Sequence, residues 1–377
     1  MESATQAQQT PVNPTGRQLD IAYLCLQVTK EGQASYAHVN EIIGGLRDLG
    51  HSVTLYEPRH LERYGPLVRA REFIRTQNRM RREARNVDVI YCRAHFATLM
   101  TSLWARRKRI PMVLEVNGPY EDLFIAWPRT RYFRPLFEWL MGTQYRNADA
   151  LVTVTSGLQT WLSDETGRSD VYVIPNAAND RLFRPNTPVP DGLPDRYVAF
   201  VGALALWQGL PHVLEAATLE EWPEDVTLLI AGDGAQREMA LEAGRSNERV
   251  VFLGRRPYGD IPGILCGSVA SLVPKVELGG RSITGLSPLK LYEAMACATP
   301  VVATDFPGQA EVLRDEQCGI VIPPEDPVAI ASAVRILAED PETARRMGAR
   351  GRVAVEREHS WARRAEQTAD ILVRVAR

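Results

Sequence analysis

From Leu19 onward, short apolar runs alternate with amphipathic stretches. LDIAYLCLQV (19–28), HSVTLYEP (51–58), VDVIYCRA (87–94), PMVLEVNG (111–118), ADALVTVT (148–155) and VYVIPN (171–176) read as strands. Such near-continuous apolar runs suit strands covered on both faces. Between the first two, HVNEIIGGLRDLG (38–50) reads as a helix ending at Gly50, where a positive φ costs little. A Pro-rich stretch, RPNTPVPDGLPD (184–195), then breaks the rhythm. The alternation restarts with YVAFVG (197–202), VTLLIAG (226–232), RVVFLG (249–254), SVASLVP (268–274), TPVVATD (299–305) and CGIVIPP (318–324). This predicts an α/β chain of two doubly wound domains facing across a cleft, with ligands at the carboxyl ends of the strands. The expected divisions are a disordered tail (1–17), a first domain (18–190), a second domain (191–358) and a last helical segment (359–377).

A length of 377 residues suits two domains, and 45% hydrophobic with 24% charged residues is an ordinary globular balance. The formal net charge of −2 gives no global argument for nucleic acid. The charge is uneven, with 24 Lys/Arg against 19 Asp/Glu up to residue 190 and 20 against 27 beyond it. Cys25, Cys92, Cys266, Cys297 and Cys318 lack a Cys-x-x-Cys spacing and read as buried free thiols in a reducing compartment. The histidines show no metal-ligand spacing, so no metal site is expected. No apolar run approaches the roughly 18 residues of a spanning helix. The polar N-terminus resembles neither a signal nor a transit peptide, and a cytoplasmic protein is expected.

The most informative stretch is TGLSPLKLYEAMACATPVVATD (284–305). Ser287-Pro288 reads as a helix start, Ser as N-cap and Pro at the first helical position. A helix N-terminus offers free N–H groups and favours an anion, which would explain Lys290 in the first turn, a position the dipole disfavours. Glu293 projects from the same side, well placed to accept hydrogen bonds from ribose hydroxyls. A capped surface helix with a Lys290–Glu293 ion pair is the alternative these residues leave open.

This stretch resembles the signature of family 4 of the GT-B glycosyltransferases. So do GQASYAHVNEIIGGLRDLGHSV (32–53), ADALVTVTSGL (148–158), YVIPNAANDRLFRP (172–185), LLIAGDGA (228–235), VVFLGRRP (250–257) and the helix after HSW (359–361), in family order over residues 19–377. The resemblance implies a GT-B fold, with an acceptor-binding first domain, a nucleotide-sugar-binding second domain and a final helix crossing back to the first. It implies metal-independent sugar transfer with retention of anomeric configuration, from a UDP- or GDP-type donor and with no other cofactor. Gly32, Gly202, Gln208, Arg256, Leu286, Ser287, Leu289, Lys290 and Glu293 become the candidate donor-binding residues. His95, Asn117 and Lys290 become the candidate catalytic contacts.

Three departures stand out. The family's paired glutamates have seven residues between them, but the position eight before Glu293 is Gly285. Glu277 lies nearby in a longer loop. Where the family places an Arg and a Lys after the strand matching YVAFVG, this chain has Ala203 and Gln208. Lys290 is the leading replacement cation and Arg256 the second. The family's His-Gly reads Asn117-Gly118, and Asn cannot carry a proton near neutral pH. A rearranged donor site and a scaffold without catalysis both remain open. Residues 58–85 hold nine Arg against three Glu, WARRKR (104–109) adds four cations, and AWPRTRYFRPLFEWL (126–140) mixes Arg with aromatics. Solvated helix faces, a surface for anionic lipid at the inner face of a membrane, and a site for an acidic acceptor are the three readings. The expected acceptor is a hydroxyl compound, lipid-linked or a growing surface polysaccharide. Decoration of a small natural product is the alternative.

Overall fold

The computed structural model describes residues 16–29, 33–59 and 65–376. Within them, β1 (Asp20–Leu24), β2 (Ser52–Tyr56), β3 (Val89–Arg93), β4 (Met112–Val116), β5 (Ala150–Thr153) and β6 (Val171–Val173) form one sheet. A second holds β7 (Tyr197–Val201), β8 (Thr227–Ala231), β9 (Val250–Gly254), β10 (Ser271–Val273), β11 (Val301–Thr304) and β12 (Gly319–Ile322). Each strand falls inside the apolar run that predicts it. Helices α1 (Ala34–Asp48), α2 (Pro66–Glu83), α3 (Leu99–Lys108), α4 (Tyr120–Ala126), α5 (Arg134–Asn147) and α6 (Ser156–Thr166) go with the first sheet. The second carries α7 (Leu210–Ala216), α8 (Arg237–Ser246), α9 (Ile261–Cys266), α10 (Leu289–Ala296), α11 (Gln309–Glu316), α12 (Pro327–Glu339) and α13 (Pro341–Ala354), and α14 (Trp361–Val375) comes last.

Both sheets are parallel throughout, in the orders β2-β1-β3-β4-β5-β6 and β12-β11-β10-β7-β8-β9. The winding direction reverses between β1 and β3 and again between β7 and β10. At such reversals the loops part and leave a crevice at the carboxyl ends. These are two doubly wound, Rossmann-like sheets.

Helix α1 starts at Ala34, earlier than its apolar pattern suggests, and Gly50 just beyond it has φ +90°. On one face of the first sheet, α1 and α14 share a core: Trp361, Ala365 and Leu372 pack with Val39, Ile42 and Leu46. The last helix therefore completes the first unit. The opposite face is covered by α2, α3 and α5, through residues such as Phe73, Ala105 and Tyr145. The chain passes between the units twice, and the crossings touch: Ala178 N donates to His359 O and Trp361 N to Ala178 O, both 3.0 Å. The Pro-rich stretch lies against α9, where a Cβ on Gly263 would stand 2.2 Å from the Pro188 carbonyl. Four of the five cysteines are buried, whereas Cys266 is only half-buried. Among the described residues no helix is long and apolar enough to cross a membrane.

The α1–α14 contact needs a glycine at one position only. A Cβ on Gly45 would sit 2.4 Å from that of Ala365, while one on Gly44 meets nothing within 4 Å. Gly45→Val should therefore destabilise by about 1–3 kcal/mol through overpacking. Gly44→Ala should stabilise by about 0.5–1 kcal/mol through helix propensity. Urea midpoints of the two variants check the contrast.

Candidate functional site

The reversal between β7 and β10 opens beneath the start of α10. All eight residues of α10 are buried, which removes the surface-helix alternative. The start differs from expectation. Pro288, not Ser287, takes the N-cap position, and no side chain caps the helix. Ser287 is occupied elsewhere: its Oγ accepts from Asn176 N at 3.0 Å and lies 3.2 Å from Tyr292 Oη. Asn176 Nδ2 also donates to the Ser287 carbonyl at 2.5 Å. Asn176 follows β6 of the first unit, so the seat of α10 is fixed from across the cleft.

Lys290 is 8% exposed, and its Nζ has no hydrogen-bond partner. It stands over the ring of Phe200, 4.5 Å from the centroid, where a cation–π contact partly replaces an oxygen. Burial lowers its pKa to about 7, against the pull of Glu293. Glu293 is equally buried, and its Oε1 accepts from Tyr258 Oη at 2.7 Å. Burial raises its pKa to about 7, opposed by that bond and by Lys290. The geometry brings Gly202 to the same place. Its φ is +120°, and a Cβ there would reach within 4.0 Å of the Lys290 side chain. Gln208 is buried and accepts from Lys275 Nζ at 2.8 Å. The backbone of Leu286 is held by Pro307, N to O 2.7 Å. The Leu289 side chain packs into the first unit's core, so only its backbone faces the crevice mouth. Arg256 is exposed and paired with Asp260 at 2.9 Å. Gly285 has φ +87°, and a Cβ there would lie 3.1 Å from Thr155 Cβ and 3.2 Å from the Pro307 carbonyl. That crowding disfavours a glutamate at this position. Glu277 instead caps its own loop, accepting from Gly280 N at 2.6 Å and Ser282 N at 3.1 Å.

Across the cleft, Glu115 at the end of β4 gathers a polar cluster that the sequence reading missed. It accepts from Tyr91 Oη at 2.7 Å and Arg93 Nη1 at 2.8 Å, and His38 Nε2 lies 2.9 Å away. Burial alone would raise its pKa, but His38, Arg93 and Asn117 hold it well below the carboxylate range. Asn117 donates to Glu115 through Nδ2 and so belongs to this cluster. His38 Nδ1 meets Asn176 Oδ1 at 2.8 Å, which carries the network on to Ser287. His95 stands apart from it. Its Nδ1 accepts from Ala97 N at 3.2 Å, its ring packs between Phe73 and Phe96, and burial with nearby Arg69 lowers its pKa to about 4. It lies just past the end of β3 with its ring bonded to backbone. Gly32 lies outside the described residues. Tyr258 and Lys275 were missed as well. Both follow strand ends at the crevice, the one signal that could have found them.

Two family descriptions match the chain in tandem: Glycosyltransferase Family 4 over residues 37–182 and Glycosyl transferases group 1 over residues 188–354. The chain belongs to the family 4, group 1 glycosyltransferases of GT-B fold. An α-maltose-1-phosphate synthase of Mycolicibacterium smegmatis is 32% identical over 269 residues, covering 63% of this chain and 66% of the relative. Among solved structures, the sucrose-phosphate synthase of Thermosynechococcus elongatus superposes with a TM-score of 0.75 at 19% identity, covering 95% of this chain and 99% of its own. Anabaena HepE, solved in complex with UDP, gives 0.72 at 17% identity, covering 94% and 100%.

Lys290 and Glu293 pull stability in opposite directions with pH. Between about pH 7 and 10.5 the unfolded chain keeps a proton that folded Lys290 has released, so stability rises with pH. Between about pH 4.5 and 7 folded Glu293 keeps a proton that the unfolded chain has released, so stability falls as pH rises. Lys290→Met should flatten the alkaline limb and Glu293→Gln the acid limb. Urea midpoints from pH 5 to pH 10 test this, and parallel curves for all three proteins would refute it.

Proposed function

We propose that this chain is a metal-independent, retaining glycosyltransferase, with a nucleotide-sugar donor seated in the β7/β10 crevice and a hydroxyl acceptor held by the first unit. The observation that carries this reading is the Lys290 ammonium, buried without an oxygen partner in the first turn of an uncapped helix. Such a charge is costly to keep unless an anion completes it. A diphosphate supplies that anion, and Glu293 then accepts from the ribose hydroxyls. In the reaction, the bond between the anomeric carbon and the diphosphate oxygen breaks and the acceptor oxygen bonds to the same face. The acceptor proton leaves with the diphosphate. Lys290 and the helix N-terminus stabilise the charge that develops on the leaving group. The UDP bound to HepE favours a UDP-type donor over a GDP-type one.

The acceptor is best read as lipid-linked. Trp127, Tyr132, Phe133 and Trp139 are each more than half exposed and interleave with exposed Arg129 and Arg131. This rim can sink aromatics into an anionic interface while its cations meet head groups. It would make the enzyme peripheral at the inner face of a membrane.

Thermal shifts with UDP, GDP, TDP and ADP test the donor site. The matching nucleotide should stabilise the parent by about 2–3 kcal/mol at a hundredfold excess over Kd. Lys290→Ala and Glu293→Ala should each reduce the shift, and variants that respond like the parent would displace the site. Co-sedimentation with phosphatidylserine vesicles tests the rim. Binding should fall on raising salt from about 0.01 to 0.5 M and in Arg129→Glu/Arg131→Glu, and no binding at low salt would reject the lipid reading.

A further inference from the structure

Lys275 follows β10, on one flank of the crevice, and is only 7% exposed. Its ammonium reaches across to β7's side of the reversal and donates to Gln208 Oε1 at 2.8 Å. The two loops that meet there are locked. Gly209 has φ +74°, and a Cβ on it would fall 1.7 Å from the Pro274 carbonyl, so only glycine lets the loops approach this closely. Val276 N donates to Trp207 O at 3.3 Å, one residue on either side of the Lys275–Gln208 contact. A neutral amide, unlike a carboxylate, holds an ammonium without cancelling its charge. Lys290 enters the same crevice from the start of α10 with an unpartnered Nζ. The crevice is thus walled by two buried ammonium groups, Lys275 from the loop that follows β10 and Lys290 from the first turn of α10.

On the donor-site reading above, we propose that Lys275 is the second cation for the donor's diphosphate, delivered from the β10 loop, and that Gln208 is the positioning residue that aims it. The position after β7 has given up its positive charge, and Lys275 restores one to the same spot from a distance of 67 residues in sequence.

Titration calorimetry with UDP, GDP, TDP and ADP, each beside its nucleoside, tests this. Lys275→Met should weaken the diphosphate that the parent binds by about tenfold or more, in line with a charge-assisted contact, while leaving the nucleoside unchanged. The transposed double variant, Gln208→Lys/Lys275→Gln, should recover affinity to within about threefold of the parent, because charge at the spot matters and its origin does not. Parental diphosphate affinity in Lys275→Met would overturn the inference while the donor site stands. So would equal losses of diphosphate and nucleoside, or a transposed variant with a parental melting temperature and no recovery. A parent that binds none of the four diphosphates would overturn the donor-site reading and this inference together.

Discussion

The hydrogen bonds from Asn176 to Ser287 are the constraint on which the rest of the site depends. They run from the end of the first sheet to the loop that starts α10, so the helix bearing Lys290 and Glu293 is seated by the other unit. Behind Asn176 stand His38 and then Glu115, with Arg93, Tyr91 and Asn117 around the carboxylate. A buried network of this kind holds well only when each member is satisfied, and this one runs unbroken from Glu115 to Ser287. Thr155, donating to the Thr284 carbonyl, and Asn179, donating to Glu41 at 2.8 Å, reinforce the same junction.

The crevice holds several of the chain's buried charges. Lys290, Glu293 and Lys275 are all nearly inaccessible, in a chain whose other charges mostly remain in water. Burying such groups is unfavourable unless partners or a ligand compensate, and here compensation is partial for two of them: a phenol for Glu293 and an aromatic face for Lys290.

The fold was legible because parallel strands buried on both faces are written as continuous apolar runs, and each of the twelve predicted runs contains a strand. The placement of α10 was legible for a local reason, the Pro–Lys–Glu spacing within a few residues. What escaped is long-range. Ser287 looks like a cap by its neighbours, but a partner 111 residues away claims its hydroxyl. Lys275 and Gln208 are 67 residues apart, and Tyr258 and Glu293 are 35 apart. No periodicity joins such pairs, because the strand order that brings them together is a property of the whole sheet. Glycine told part of the story: Gly285 read as a missing glutamate, and the structure gives the reason in its positive φ and its crowding by Thr155 and Pro307.

Helix α14 lends its apolar side to the core of the first unit. That unit therefore lacks one wall for as long as the ribosome is still translating the second sheet, on the order of ten seconds or more at about 5–20 residues per second. Through that interval the face of α1 around Leu46, and the sheet beneath it, are exposed. The two ends of the sequence can close on each other only once the second sheet between them has been synthesised.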